Sequence, residues 1–292
     1  MDTLVSVPHY PEEDTKLRAD GTRLAGGGPV ATGLVAASKL GQKCAYIGVL
    51  SDDNGGAFLK GDFEKYGMTN ELITTEKGYR SFTSVIWLSK ESTSRTCVFD
   101  KGNLPPLVLN EKQKEAIKSA KVLMVDGNEL EAAIEGAKIA RENGVKVLYD
   151  AGGLYAGYER LLPHVDILIP SKEYSLGATG CNTPEEAAKV LYDKYDPEIV
   201  VITCGKHGGV MYDGKKITYY PIYPAEVVDS NGAGDVFHGA FAFAVTQGYD
   251  YEKCCHFSSA VSGLKCTGIG ARESVPDFET VNKYLKENGY EL

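Results

Sequence analysis

The sequence contains no apolar run approaching the roughly 20 residues that span a bilayer. Met1 is followed by Asp2, with neither a basic stretch nor an apolar segment after it. Both absences lead to the expectation of a soluble, cytoplasmic protein with no membrane partner. Positive charge is also in deficit, 31 Lys and Arg against 40 Asp and Glu, for a net charge of -9. Such a field repels polyanions, so nucleic acid is not an expected partner. A small phosphorylated ligand remains compatible, because a Gly-rich backbone can receive it locally. No C-x-x-C pair occurs among the seven cysteines, an odd and scattered set that reads as reduced thiols. Adjacent Cys254 and Cys255 have no His/Cys set at ligand spacing and are expected to be buried small hydrophobes. Internal repeats and low-complexity tracts are absent too.

What is present, from about Lys121, is an alternation of short apolar runs with amphipathic segments. The runs are 122–125, 145–149, 165–169 and 199–203; the helix-like stretches include 130–143 and 183–195. Thr183 is a good N-cap, with Pro184 at the first helical position and Glu185-Glu186 favoured by the helix dipole. Apolar strands separated by helices imply an α/β fold, a doubly wound, mostly parallel sheet covered on both faces. Two stretches, about Leu4 to Ala25 and Ser81 to Phe99, alternate polar and apolar residues with no crossover helix. They are expected to pair as a small β-sheet lid, or as an ordinary edge extension. The domain expectation is therefore a lid of residues 1–25 and 81–103, and an α/β domain of 26–80 and 104–292.

Three segments carry chemistry. In Asp229-Ser230-Asn231-Gly232-Ala233-Gly234-Asp235 a small-residue turn opens an apolar helix, so the amides of Gly232, Ala233 and Gly234 can form an anion hole. Asp235, in the first turn, suits a base that takes a proton from an attacking hydroxyl; alternatively it is a helix-terminal charge beside a tight turn. A second Gly cluster, Ala25 to Gly33, has Pro29 suited to a first helical turn before the apolar helix 34–40 and strand 44–49. Its likeness to a dinucleotide fingerprint is superficial, since no βαβ strand precedes it, and a substrate-side loop is expected. The third, Thr203-Cys204-Gly205-Lys206-His207-Gly208, ends a strand where open α/β folds bind nucleotides; a plain hairpin turn is the alternative, with His207 facing solvent.

Gly26-Gly27-Gly28 with the following helix and Gly41, Gly48 to Gly56, and Asp229 to Asp235 together resemble the signatures of the ribokinase-like (PfkB) carbohydrate kinases, over nearly the whole chain and in order. The resemblance implies the α/β domain with a β-lid, ATP as donor, Mg²⁺, and often K⁺ or another monovalent cation near the anion hole; a homodimer through the lid is expected as one cover for its open face. It makes Asp235 the base, Gly232, Ala233 and Gly234 the anion hole, and Thr203, Gly205 and Gly208 the nucleotide lining. Asp2, Gly27 and Gly28 match the sugar-binding positions.

Three departures from the family pattern follow. An apolar strand usually leads into the aspartate; here Met1 precedes Asp2, which is expected to fray. Pro29 and Thr32 replace the amides that commonly hold sugar hydroxyls, so Thr32 becomes a substrate-side candidate. The Gly-Gly-Gly-Pro-x-Ala-Thr pattern and 257–272 resemble the sulfofructose kinase branch, in which Lys16 and Arg95 on lid strands would meet an anionic sugar group, with ordinary exposed lid cations as the alternative. Finally, the Mg²⁺-organising Asn-x-x-Glu aligns with Ser171-Lys172-Glu173-Tyr174, as in ketohexokinase, leaving Glu173 and Asp229 as metal candidates. The expectation is phosphorylation of a ketose or modified ketose, with a nucleoside kinase or a non-catalytic sugar or nucleotide sensor as alternatives.

Overall fold

The computed structural model of the chain describes residues 1–92, 94–153 and 156–292. It divides into two compact units, Met1–Gly28 with Ala45–Pro106, and Pro29–Cys44 with Leu107–Leu292. In chain order the strands are β1 (Asp2–Val7), β2 (Gly21–Ala25), β3 (Gly48–Ser51), β4 (Ile73–Glu76), β5 (Thr83–Ser89), β6 (Arg95–Asp100), β7 (Val122–Val125), β8 (Lys146–Ala151), β9 (Ile167–Pro170), β10 (Ile199–Thr203), β11 (Gly209–Tyr212) and β12 (Ile217–Tyr220). The helices are α1 (Pro29–Lys39), α2 (Asn54–Lys65), α3 (Glu111–Lys118), α4 (Leu130–Glu142), α5 (Lys172–Thr179), α6 (Pro184–Tyr195), α7 (Ala233–Thr246), α8 (Tyr251–Lys265) and α9 (Phe278–Glu287).

In the first unit the two alternating stretches do form one sheet, in the order β2-β1-β5-β6. Period-2 alternation sorts its faces. Leu4, Ala25 and Ile86 form a buried cluster, while Leu24, Thr3, Val85 and Val98 run in register across the opposite face. Three of that row are exposed: Leu24 at 50 %, Val85 at 41 % and Val98 at 60 %. Residues 8–20 connect β1 to β2, so Lys16 lies off the strands. β3 pairs in parallel with β4 beside α2. Asp53 caps that helix by accepting from Gly56 N at 2.8 Å, and also accepts from the Ser81 amide and hydroxyl at 2.7 Å each. Burial alone would raise the Asp53 carboxyl, but these bonds outweigh it and hold it below the usual range.

The second unit is built on a six-stranded sheet, β12-β11-β10-β9-β8-β7, in which β7 to β10 are parallel and β11 and β12 are added antiparallel. Val147, Leu148 and Tyr149 are consecutive and fully buried, as are Ile199 to Ile202, so both faces of the sheet are covered. Helix α6 starts as its sequence predicts, with Thr183 Oγ1 accepting from Glu186 N. In α7 every residue from Val236 to Ala244 is buried. A helix apolar on all sides must be internal, and α7 packs on α1, α8, β7 and β8. Cys254 and Cys255 are fully buried, as expected, and burial pushes the Cys254 thiol up to about 12. No helix among the described residues is long and apolar enough to cross a membrane.

Candidate active site

The turn before α7 is held in a conformation that glycine alone tolerates well. Gly232, the N-cap, has φ +73°, and a Cβ there would lie 2.5 Å from Ala271 Cβ. Among the described residues no acceptor lies within bonding distance of the Gly232 or Gly234 amide. Ala233 departs from the expected trio, because its N–H donates to Ser230 O at 3.2 Å and closes the turn. The hole thus offers two open amides. Gly234 also faces empty space, with nothing within 4 Å of where its Cβ would be. Asp235 follows in the first helical turn. Two donors at the positive end of a 14-residue helix, with a carboxylate one residue on, can receive an anion and take up a proton beside it.

Two residues expected at ligands have partners within the fold. Asp229, a metal candidate, accepts from Asn231 N at 2.9 Å through Oδ1 and from Gly270 N at 2.8 Å through Oδ2. Both carboxylate oxygens are therefore engaged in clasping the turn to the segment after α8. Thr32, expected on the substrate side, is buried in α1, and its Oγ1 accepts from Arg272 Nε at 3.3 Å. It packs near Gly232, whose Cβ would fall 3.6 Å from the Thr32 methyl.

Sequence reading missed three groups beside α7. His238, one turn after Asp235, places Nδ1 2.6 Å from Gly234 O and Nε2 2.9 Å from Ile169 O. The first bond ties the turn to its own helix, the second to β9. Asp150 Oδ2 lies 3.2 Å from His238 Nδ1. Burial raises the Asp150 carboxyl; His238 opposes the rise, while Asp235 and Asp126 add to it. Asp126 accepts from Val30 N at 3.4 Å and Asn128 N at 3.0 Å. Both acids stand at the carboxyl ends of β7 and β8, and an acid closing an apolar run was the available signal.

At the end of β10, Thr203 bridges to Ser171, the N-cap of α5. Cys204 N donates to Gly208 O at 2.7 Å, so the Gly-rich segment is a tight turn. Gly208 cannot be replaced there, since a Cβ would meet Tyr220 O at 2.2 Å; Gly205 has φ +56° and open space around it. His207 is exposed, as expected. Glu173 stands exposed in the first turn of α5, whereas Tyr174 is buried edge-on to Tyr158, 5.3 Å between ring centroids. No group of three or more His, Cys, Asp or Glu capable of holding a metal is assembled among the described residues.

In the first unit, Asp2 is not frayed: it pairs with Ala25 on one side and Ser84 on the other, and Ser84 Oγ donates to its Oδ1 at 2.6 Å. Gly27 is brought against it, so close that a Cβ would sit 2.1 Å from Asp2 Oδ2. Gly28 follows at φ +92°. Lys16 and Arg95 are both exposed, Arg95 opening β6.

Residues 2–277 match the profile of the pfkB family carbohydrate kinases. Ribokinase of Haemophilus influenzae is 27% identical over 292 residues, covering 98% of this chain and 95% of that protein. The 5-dehydro-2-deoxygluconokinase of Clostridium perfringens is 27% identical, covering 89% and 84%. Among solved structures, Arabidopsis thaliana ribokinase complexed with ribose and ATP superposes with a TM-score of 0.88 at 25% identity, over 98% of this chain and 95% of that one. A nucleoside kinase of Burkholderia thailandensis shares the fold, with a TM-score of 0.80 at 17% identity, over 100% and 97% of the two chains. The match runs from the strand that holds Asp2 through the helix that presents Asp235, and the chain belongs to the pfkB family of carbohydrate kinases.

Proposed function

We propose that the protein transfers the γ-phosphoryl group of ATP, bound with Mg²⁺ as substrate, to a hydroxyl of a ketose or modified ketose. The observation that carries this reading is the start of α7, where two open amides and an empty space over Gly234 stand next to Asp235. In the reaction the acceptor oxygen attacks the γ-phosphorus, Asp235 takes the hydroxyl proton, and the bond to ADP breaks. Charge on the transferring oxygens is neutralised by the Gly232 and Gly234 amides and the helix dipole. Asp2, Gly27 and Gly28 bind the sugar hydroxyls, and Lys16 and Arg95 serve an anionic substituent. Thr203, Gly205 and Gly208 line the nucleotide, with Glu173 reaching Mg²⁺ through water. The ribokinase complexed with ribose and ATP and the 5-dehydro-2-deoxygluconokinase support a sugar acceptor and ATP as donor; the choice of a ketose rests on the sequence pattern.

An ATP-consumption assay over ketoses, aldoses, sulfonated and phosphorylated sugars and nucleosides tests the reading directly. Turnover is expected with a ketose; preference for a nucleoside would replace it, and silence on the whole panel would leave the sensor alternative. The two glycines divide the labour in a checkable way. Gly234→Ala should leave the melting temperature unchanged or slightly raised, since nothing obstructs its methyl, yet cut turnover by about 10²-fold by filling the anion's place. Gly232→Ala should instead lose about 1–2 kcal/mol of stability from its left-handed backbone alone. Equal loss of stability in both would undo the distinction.

The exposed row of Leu24, Val85 and Val98 is, in this proposal, covered by the same row of a second copy. Sedimentation should show a dimer that Val98→Lys dissociates. A wild-type monomer at assay concentration would refute it.

A further inference from the structure

The family suggests a monovalent cation near the anion hole, and the residues behind this turn do not suit one. The carbonyl next to the turn, Asp229 O, receives Lys265 Nζ at 2.7 Å. Lys265 is fully buried and closes α8, where the negative end of the helix dipole favours a cation. Burying an ammonium group is costly unless its bonds are made within the protein, so its placement against this loop calls for a reason.

The surroundings supply one. The turn is fastened to the end of α8 at several points: Val228 N and Asp229 N donate to Cys266 O at 2.8 and 3.1 Å, and Ser262 Oγ donates to Ala233 O at 2.8 Å. Gly270 N completes the clasp on the Asp229 carboxylate at 2.8 Å. A second buried cation, Arg272, follows directly after Ala271, the residue against which Gly232 is packed. The backbone that carries the open Gly232 and Gly234 amides therefore has a buried ammonium bonded to it at Asp229 O.

We propose that the Lys265 ammonium is the built-in cation of the anion-hole turn, holding Asp229 O and adding positive potential behind Gly232 and Gly234, so that the enzyme has no monovalent-cation requirement. Lys265 is a positioning residue; it acts through the turn. The inference rests on the kinase reading above, and its test keeps the two apart by including a readout without turnover.

Wild-type melting temperature and kcat are measured in potassium, sodium and tetramethylammonium chloride at matched ionic strength. Both are expected to be the same in all three. A saturable rise of either with potassium would overturn the proposal, because a bound ion stabilises the folded state by mass action. A wild type that phosphorylates nothing would defeat the kinase reading alone, since melting still reports on the cation. Lys265→Met, which fills the volume without charge, should lower kcat about tenfold or more with no rescue by salts. Lys265→Ala should show a similar loss that ammonium or potassium partly and saturably restores. Wild-type kcat in Lys265→Met, or a folded Lys265→Ala that no cation restores, would overturn the proposal; should either variant fail to fold, the wild-type series decides.

Discussion

Asp235→Asn is expected to bind ATP and melt close to the wild type while losing about 10²- to 10⁴-fold in turnover. The change is nearly isosteric and leaves the backbone as it is, with Gly232 to Gly234 before it and Gly33 of α1 near the Asp235 carbonyl. Asparagine keeps the shape and loses the ability to accept a proton. As a helix-terminal charge the carboxylate contributes about 0.3–1 kcal/mol of stability. As a general base, a loss of that size in rate corresponds to about 2.7–5.4 kcal/mol of transition-state stabilisation. The two readings of Asp235, terminal charge or base, thus differ in which measurement moves. Calorimetric ATP titration, thermal melting and steady-state kinetics on one preparation separate them. A variant that retains a tenth or more of wild-type turnover would return Asp235 to the status of an N-terminal charge.

The parts of the fold that were legible in the sequence are those set by local chemistry. Thr183-Pro184-Glu185-Glu186 announces α6 because its cap is made within four residues. The runs at β7 to β10 announce strands because burial on both faces leaves no polar alternation. The expected strand 44–49 is displaced, pairing regularly only over Gly48–Ser51, with an isolated bridge at Ala45. There Tyr46 stacks on Phe63 with 5.0 Å between centroids and its ring closes over Gly48, a tertiary contact that propensity does not contain.

The candidate site was legible where one short segment carries it, as at Gly232 to Asp235, and opaque where it depends on partners far apart in the chain. Thr32 is a substrate-side candidate from its place in the family pattern, and its partner Arg272, 240 residues on, is not visible there. Asp229 is a metal candidate in the sequence, which does not show that its oxygens accept from the amides of Asn231 and Gly270. His238 and Asp150 went unnoticed for the same reason, being joined only when β8 and α7 pack.

Gly239→Ala is expected to cost activity out of proportion to stability. A Cβ at Gly239 would lie 2.0 Å from Gly33 O, 2.5 Å from Gly33 C and 2.7 Å from Gly33 Cα, all backbone atoms of α1. No rotamer change can relieve such a contact, so α1 and α7 must separate. Overpacking of this kind costs about 1–3 kcal/mol, which lowers the melting temperature without abolishing the fold. The rate suffers more because α7 is the element that presents Asp235 and the Gly234 amide, one turn before Gly239. A displacement of about 1 Å at reacting groups can cost about 10²-fold. The control is Gly263→Ala in α8, where the added carbon meets only Tyr223 O at 3.6 Å and should be tolerated. Melting and kcat/KM of both variants form the test. If Gly239→Ala loses only the activity that its unfolded fraction accounts for, the close crossing of α1 and α7 supports the fold and has no part in aligning the site.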